Sequence, residues 1–496
     1  MPAIENWLDR HRRAWLAALS VLAAIRIGYL CLAYPIFTNV DEPQQFDVVV
    51  QYANGRWPLG IGPLEVETRE TIFRYGSVEY LVEKNDPRFS PQIIAGLARL
   101  RQSATMPADY FTIPDHELHQ PPVYYALAGL VYRTARGMGV RPFHLPFIVR
   151  LIDVPIIVLT VLAVHRLAAM VVPRRLEVVL GAPLVVAFFP QDALCQIGSD
   201  SMSAAVCGWA LIWLLAPMLT GRITLAGAVL AGLGAAAAVM TKWTNLPIVA
   251  VAAIAAIFVL RSGAPGRGRV GAVLIASVLI PIGLWCARCH AALGDFTATG
   301  PTVRYLGWTP RPLSDWFEHP IFRAEGWNPL QADRGMFRML HETVITFWRG
   351  EFVWYRERLC SPQLDLSYYL VTLFGLGLAL LAFRRGAGCW RTGLAVLLAY
   401  CAAAFAELVV LSIRYDFGQC IYPSTAEPYM SSGRLILGAL APLCVCVLLG
   451  LSELWQPLAR HLSIVFLLAV MCVMMTAVEL DAARPALGAR SSALAP

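Results

Sequence analysis

Charge is what this sequence has least of. Only 15% of its 496 residues are Asp, Glu, Lys or Arg, where a soluble chain of this size carries about a quarter. That scarcity excludes an ordinary soluble enzyme and a disordered chain, and the composition is not collagen-like. What fills the space is apolar: 57% of the residues, for a mean hydropathy of +0.58. Stretches near the ~20 residues needed to cross a bilayer recur along the whole length, so the sequence reads as an all-α polytopic membrane protein. The formal net charge of +7 is then read for membrane orientation, and no nucleic-acid partner is expected.

Other absences narrow the reading. The apolar run from Ala14 to Phe37 follows Arg10, Arg12 and Arg13, but it is too long for a signal sequence and lacks small residues at its end. It is expected to be an uncleaved first span with residues 1–13 cytoplasmic. No internal repeat marks a secondary transporter. Cysteine is not scarce, at 12 residues, but most of it sits in apolar runs where a thiol packs as a small hydrophobe. Cys195, Cys360 and Cys420 alone lie where an oxidising exterior could pair them, and Cys360 with Cys420 is a candidate disulfide.

Basic residues set the orientation. Placing Arg13, Arg174, Arg222, the 261–269 stretch, Arg384, Arg385, Arg391 and Arg460 on the cytoplasmic side leaves eleven spans. They fall at about 14–37, 151–172, 177–192, 203–220, 223–241, 245–260, 270–289, 366–383, 392–412, 434–453 and 462–480. Parity makes the apolar piece 121–130 a juxtamembrane or re-entrant helix. Two large external loops result, 38–149 and 291–365, carried by a transmembrane module over 14–290 and by C-terminal helices over 366–496.

The sharpest motif opens the first loop: Asn39-Val40-Asp41-Glu42-Pro43-Gln44-Gln45-Phe46-Asp47. Adjacent acids at a membrane exit suit a general base or a metal ligand in a cleft, with a tunable pKa. They equally suit a helix start, Asp41 capping and Glu42-Pro43 opening the first turn. Asp115-His116-Glu117-Leu118-His119-Gln120-Pro121-Pro122-Val123-Tyr124-Tyr125 closes the loop. The prolines fix His119 and Gln120 at a helix mouth, where the histidine can meet an anion or sit beside interfacial tyrosines.

Together, Asp41-Glu42 and His119-Gln120-Pro121-Pro122 resemble the GT-C superfamily of membrane glycosyltransferases, which includes the protein O-mannosyltransferases and the lipid A aminoarabinose transferases. The likeness continues, in order, through Ala187–Gln191 (AFFPQ), Gly198–Ser201 (GSDS), Thr241-Lys242, Thr346–Arg349 (TFWR) and Ser432–Leu435 (SGRL), following a bacterial branch of that superfamily. The chain departs from that branch at Gln45, where an Asp-Glu-x-x-His pattern is usual; Gln45 can still hydrogen-bond a sugar hydroxyl.

The resemblance implies transfer of a hexosyl or pentosyl group from a polyprenyl-phosphate donor to a lipid, glycan or protein acceptor, with inversion, on the outer face of a bacterial inner membrane. It casts Asp41 as base, Glu42 as second candidate and His119 as catalytic partner. Arg434 and Lys242, then Arg414, are the phosphate partners, and Gln45, Gln120 and Asp200 contact substrate. Asp200 suits an N-cap as well. No metal is expected, since the loop lacks Asp-x-Asp, although Asp41 and Glu42 could hold a divalent cation with substrate phosphate.

Arg150 and Asp153, one turn apart, read as an intrahelical pair. The tryptophans and arginines of the second loop suit an interfacial helix or a sugar-phosphate site. Two tempting motifs fail: Cys286-Ala-Arg-Cys289-His290 has the haem-attachment pattern without a partner domain, and His341-Glu342 has Ile345 where a zinc helix needs histidine. The rival function is a transporter or flippase of lipid-linked glycans, favoured by Glu407 inside the ninth span; a non-catalytic assembly subunit is the third reading.

Overall fold

The computed structural model describes residues 2–34, 36–37, 41–75, 106, 108, 112–263, 265–322, 335–351, 362–385, 389–418, 423–454 and 472. The expected eleventh span and the Cys360–Cys420 pair lie outside the described residues. The helices are α1 (Pro2–Ala33), α2 (Glu42–Ala53), α3 (Val66–Tyr75), α4 (Pro122–Gly137), α5 (Leu145–Arg150), α6 (Asp153–Val171), α7 (Leu176–Ala187) and α8 (Asp200–Thr220). They continue with α9 (Leu225–Thr241), α10 (Pro247–Arg261), α11 (Arg267–Leu293), α12 (Gly300–Tyr305), α13 (Gly335–Arg349), α14 (Pro362–Arg385), α15 (Cys389–Arg414) and α16 (Leu440–Ser452). Two short antiparallel pairs are the sheet among the described residues: β1 (Gly62–Pro63) with β2 (Pro114–Asp115), and β3 (Thr309–Pro310) with β4 (Tyr415–Asp416).

Among the described residues, eight helical segments, from His11–Ala33 to Gly433–Ser452, are long and apolar enough to cross a membrane. The protein is an all-α polytopic membrane protein. Two expected spans come out shorter. The run expected to cross at 177–192 gives the 12-residue α7, about 18 Å long and too short for a ~30 Å core. Pro190 cannot continue the helix and restricts Phe189 before it. The carbonyls set free at Ala187 and Phe189 accept Arg26 Nη1 and Nη2 from α1, each at 2.8 Å. Irregular backbone is tolerated there because protein encloses it, and Phe189 is fully buried. The 223–241 piece forms the 17-residue α9, about 26 Å long.

The piece demoted by parity forms α4, 16 residues long and shorter than a span. It packs on α2 through Gly129, where a Cβ would stand 2.8 Å from Tyr52 Cβ and 2.9 Å from the Ala53 nitrogen. Val48, Val49 and Val50 of α2 are all completely buried, so this helix is enclosed on every side. Tyr124 and Tyr125, candidates for interfacial anchors, are instead core residues beside Phe46 and Tyr132.

Opposite ends of the bundle hold different chemistry. At one end Arg12 Nε meets His165 Nε2 at 3.0 Å and Arg175 pairs with Glu453. At the other stand the C-terminus of α1, the N-terminus of α8 and the C-terminus of α9. The tightest crossing lies between α14 and α16: a Cβ on Gly450 would sit 1.8 Å from the Gly375 oxygen. Gly450→Leu is therefore expected to lower the thermal midpoint of the detergent-solubilised protein sharply, by overpacking of at least about 1–3 kcal/mol, checked by heating followed by size-exclusion chromatography.

Candidate functional site

Asp41 sits at the first residue before α2 with φ +64°, in the left-handed region, and its side chain makes no capping hydrogen bond. The carboxylate turns away from its own helix. Its Oδ2 accepts Arg434 Nη2 at 3.0 Å, and its Oδ1 lies 3.7 Å from His116 Nε2. Burial alone pushes the carboxyl up, but His116 and Arg434 outweigh it and hold Asp41 well below the usual carboxylate range. Asp41 and Arg434 are 393 residues apart in sequence.

Arg434 is aimed by its neighbours. Gly433 presses against α13 so closely that a Cβ would lie 2.1 Å from the Phe347 nitrogen. The Gly433 N–H donates to Thr346 Oγ1 at 2.8 Å, and the same hydroxyl donates to the Glu342 carbonyl at 2.6 Å with the Ser431 carbonyl 3.1 Å away. The TFWR motif thus grips the SGR segment: Arg349 clamps Asp365 with Nε at 2.7 Å and Nη2 at 3.3 Å, and Trp348 Nε1 reaches Thr372 Oγ1 at 2.8 Å. Gln191 of the AFFPQ motif braces α13 from below, donating to the Thr346 and Phe347 carbonyls at 2.9 Å. Gly433→Ala must displace this register and with it Arg434. We expect at least about a tenfold loss of activity, measured in the transfer assay described below.

Lys242 ends α9 in extended backbone (φ −157°), ahead of a 3-10 turn over Trp243–Asn245. Its Nζ pairs with Asp200 at the start of α8. Asp200 is therefore an ion-pair partner and not an N-cap. Asn245 locks the turn through the Ser203 hydroxyl at 3.0 Å and the Ala238 carbonyl at 2.9 Å. Thr244 Oγ1 donates to the Leu435 carbonyl at 2.6 Å, tying the lysine turn to the arginine segment. Arg434 lies within electrostatic reach of Asp41, Glu351 and Asp200 together.

The closing motif of the first loop supplies the rest. Gln45 Nε2 and Gln120 Nε2 both donate to Glu117 Oε2, at 2.7 and 2.5 Å, while Tyr125 donates to Gln45 Oε1. A glutamine serves where the resembling branch has histidine because its amide accepts from a phenol and donates to a carboxylate at once. The two glutamines thus converge on Glu117. Asp47 on α2 accepts the Glu65 N–H at 2.7 Å, β1 pairs with β2, and Asp115 Oδ1 accepts the Glu117 N–H at 2.7 Å. That chain of contacts sets His116 and Glu117 beside Asp41. Burial, with the nearby charge of Asp47, pushes the Asp115 carboxyl well up.

Three expectations are corrected. Glu42 is no second base: it is buried completely against Arg150 in a two-pronged pair, both contacts at 2.7 Å, and also accepts the Phe37 and Ile197 N–H groups. Every lone pair facing a donor in that enclosed pocket makes it a structural anchor. Arg150 accordingly does not pair with Asp153, whose Oδ1 accepts the Ser201 hydroxyl at 2.5 Å. Arg414 is exposed, its guanidinium 5.1 Å over the Tyr415 ring, and does not join Asp41.

His119 is held by the His116 carbonyl at 2.9 Å and by Thr302 Oγ1 at 3.2 Å, away from the carboxylates. His116 takes the place expected for it. The turn closed by Gln120 N–H to the Glu117 carbonyl, 3.1 Å, folds the segment so that position 116 faces Asp41. Its signal was a histidine set between two acids. Glu351, with Oε2 3.8 Å from Arg434 Nε, also went unread. Asp41, His116 and Glu117 bring one donor atom each within 4.8 Å of one another, a set that suits a divalent cation by type and spacing.

No protein-family model matches the chain, and no curated protein does. Among solved structures it is similar to the archaeal oligosaccharyltransferase AglB from Archaeoglobus fulgidus, in complex with an inhibitory peptide and a dolichol-phosphate. The identity is 13%, over 96% of this chain and 56% of that one, with a TM-score of 0.42. It is also similar to the Archaeoglobus fulgidus oligosaccharyltransferase in the apo form, at 13% identity, 97% and 56% coverage and a TM-score of 0.41. The chain spans just over half the length of these structures.

Proposed function

We propose that the protein is a membrane glycosyltransferase of GT-C type that moves a sugar from a polyprenyl-phosphate donor to an acceptor hydroxyl on the outer face of a bacterial inner membrane. The observation that carries this reading is the meeting of Asp41 with Arg434 at one end of the bundle, tied through Thr244 to Lys242. A carboxylate and two cations are what the chemistry needs. Asp41 takes the proton of the acceptor hydroxyl as that oxygen attacks the anomeric carbon. The bond from the anomeric carbon to the phosphate oxygen breaks, and the departing phosphate keeps the electron pair, held by Arg434 and Lys242. Attack opposite the leaving group inverts the anomeric centre. Arg434 and Lys242 supply the positive charge for this step.

The transporter reading rests on Glu407 of α15, whose Oε2 is buried without a hydrogen-bond partner. The two readings separate in one assay. Purified protein in nanodiscs is given a panel of polyprenyl-phosphate sugars with water as a slow acceptor. Free sugar supports the transferase, whereas donor movement in proteoliposomes without release, lost in Glu407→Gln, supports the transporter.

A further inference from the structure

The groups that the proposed reaction needs are engaged with one another. Arg434 Nη2 and His116 Nε2 address the two oxygens of Asp41, at 3.0 and 3.7 Å. His116 is flanked on its other side by Glu117 Oε1 at 3.6 Å, and its ring stacks on Tyr305 of α12 with centroids 6.0 Å apart. Arg434 faces Glu351 Oε2 at 3.8 Å, and the Asp200–Lys242 pair stands behind it. A carboxylate held by a guanidinium is a weak base, and a guanidinium already satisfied by a carboxylate is a poor anion receptor. The same contacts cannot hold Asp41 and a phosphate together.

We propose that the donor's phosphate replaces Asp41 as the shared anion of Arg434 and His116, so that His116 is a phosphate-binding residue and Asp41 becomes free to act as base only once the donor is seated. Geometry supports the exchange. All four groups come from different parts of the chain: Asp41 from the start of α2, His116 from the loop after β2, Arg434 from the segment before α16, and Tyr305 from α12. Arg434 is anchored by Gly433 and Thr346, and His116 by the Asp115 contact to Glu117. Removing Asp41 therefore leaves Arg434 and His116 in place. The order follows: donor binds before acceptor, and an empty site does not present a free base.

This inference rests on the proposed transferase reading, and binding separates the two. Affinity for a polyprenyl phosphate without sugar is measured in nanodiscs, and for inorganic phosphate in detergent, with wild type, Asp41→Asn, His116→Gln and Arg434→Gln. Asp41→Asn removes the competing anion and is expected to bind the lipid phosphate about tenfold more tightly, the loss of one charge-assisted contact. His116→Gln and Arg434→Gln are each expected to bind it at least about tenfold more weakly. A matching gain with inorganic phosphate makes the phosphate group itself the ligand; a gain confined to the lipid makes the membrane-borne headgroup the ligand. If wild type binds the lipid and Arg434→Gln does not, yet Asp41→Asn binds no more tightly or His116→Gln no more weakly, the exchange is wrong and the phosphate site stands. If folded wild type binds neither probe, the phosphate site and the exchange both fall.

Discussion

Asp41→Asn is expected to lower sugar transfer by about two to four orders of magnitude, the usual contribution of a positioned general base, in protein that folds and elutes as wild type does. The substitution keeps shape and hydrogen-bonding capacity, so Arg434 retains an acceptor at the position of Oδ2, 3.0 Å away in the wild type. What disappears is the place for the acceptor's proton. Asp41→Glu adds a methylene between the backbone and a carboxylate that meets Arg434 and His116 on opposite oxygens. Its activity should fall between the two. Turnover is read as free sugar against total donor. Full activity in Asp41→Asn would remove the base from the mechanism. Because His116 and Arg434 hold Asp41 below the usual carboxylate range, the stability gained from its pairing is fully present above an unfolded-state pKa of about 3.9 and is lost as pH falls through the lower folded value.

Glu42→Ala is expected to cost the fold about 3–5 kcal/mol, the largest stability effect in the molecule. Arg150 is 1% exposed and Glu42 is 1% exposed, and the guanidinium donates to both carboxylate oxygens at 2.7 Å and to the Tyr34 carbonyl at 2.8 Å. Removing the carboxylate leaves a buried cation without its counter-charge, and it also strands the Phe37 and Ile197 N–H groups. Those contacts fasten the end of α1, the start of α2 and the approach to α8 in one knot, directly beneath Asp41. A second change, Arg150→Met, removes the stranded charge and should recover a large part of the loss, although the orphaned backbone groups remain. Thermal melts of the four proteins in one detergent decide it. Near-wild-type melting of Glu42→Ala would show that the pair anchors nothing.

These two adjacent residues show how far the sequence could be read. Their position after the first span marked the end of the bundle where Asp41 meets Arg434 and where the Thr244 contact to Leu435 links the Lys242 turn to that segment. Periodicity and parity locate residues along the membrane normal, which is why the end of the bundle was legible. They do not report rotation. Whether Glu42 faced the cleft or the core depended on Arg150, 108 residues on, and Arg150 had a nearer and plausible partner in Asp153. His116 and His119 differ by one short turn, and the choice between them is made by the β1–β2 register and the Asp115 contact, neither of which leaves a local pattern. Arg414 ends a span as Arg434 begins one, yet its side chain lies on Tyr415. The run at 177–192 was apolar enough to cross; Pro190 and the reach of Arg26 broke it, a long-range contact that hydropathy does not register.

Single-turnover release of sugar tests most directly whether Asp41 and Arg434 meet in order to transfer one. Wild type and Arg434→Gln, both shown to be folded, are mixed in nanodiscs with each member of a polyprenyl-phosphate sugar panel, and free sugar is followed over time with its anomeric configuration. Wild type is expected to release inverted sugar from at least one donor, slowed at least about a hundredfold in Arg434→Gln. Release at equal rates from both proteins, or binding of the donors by wild type with no release from any of them, would contradict it.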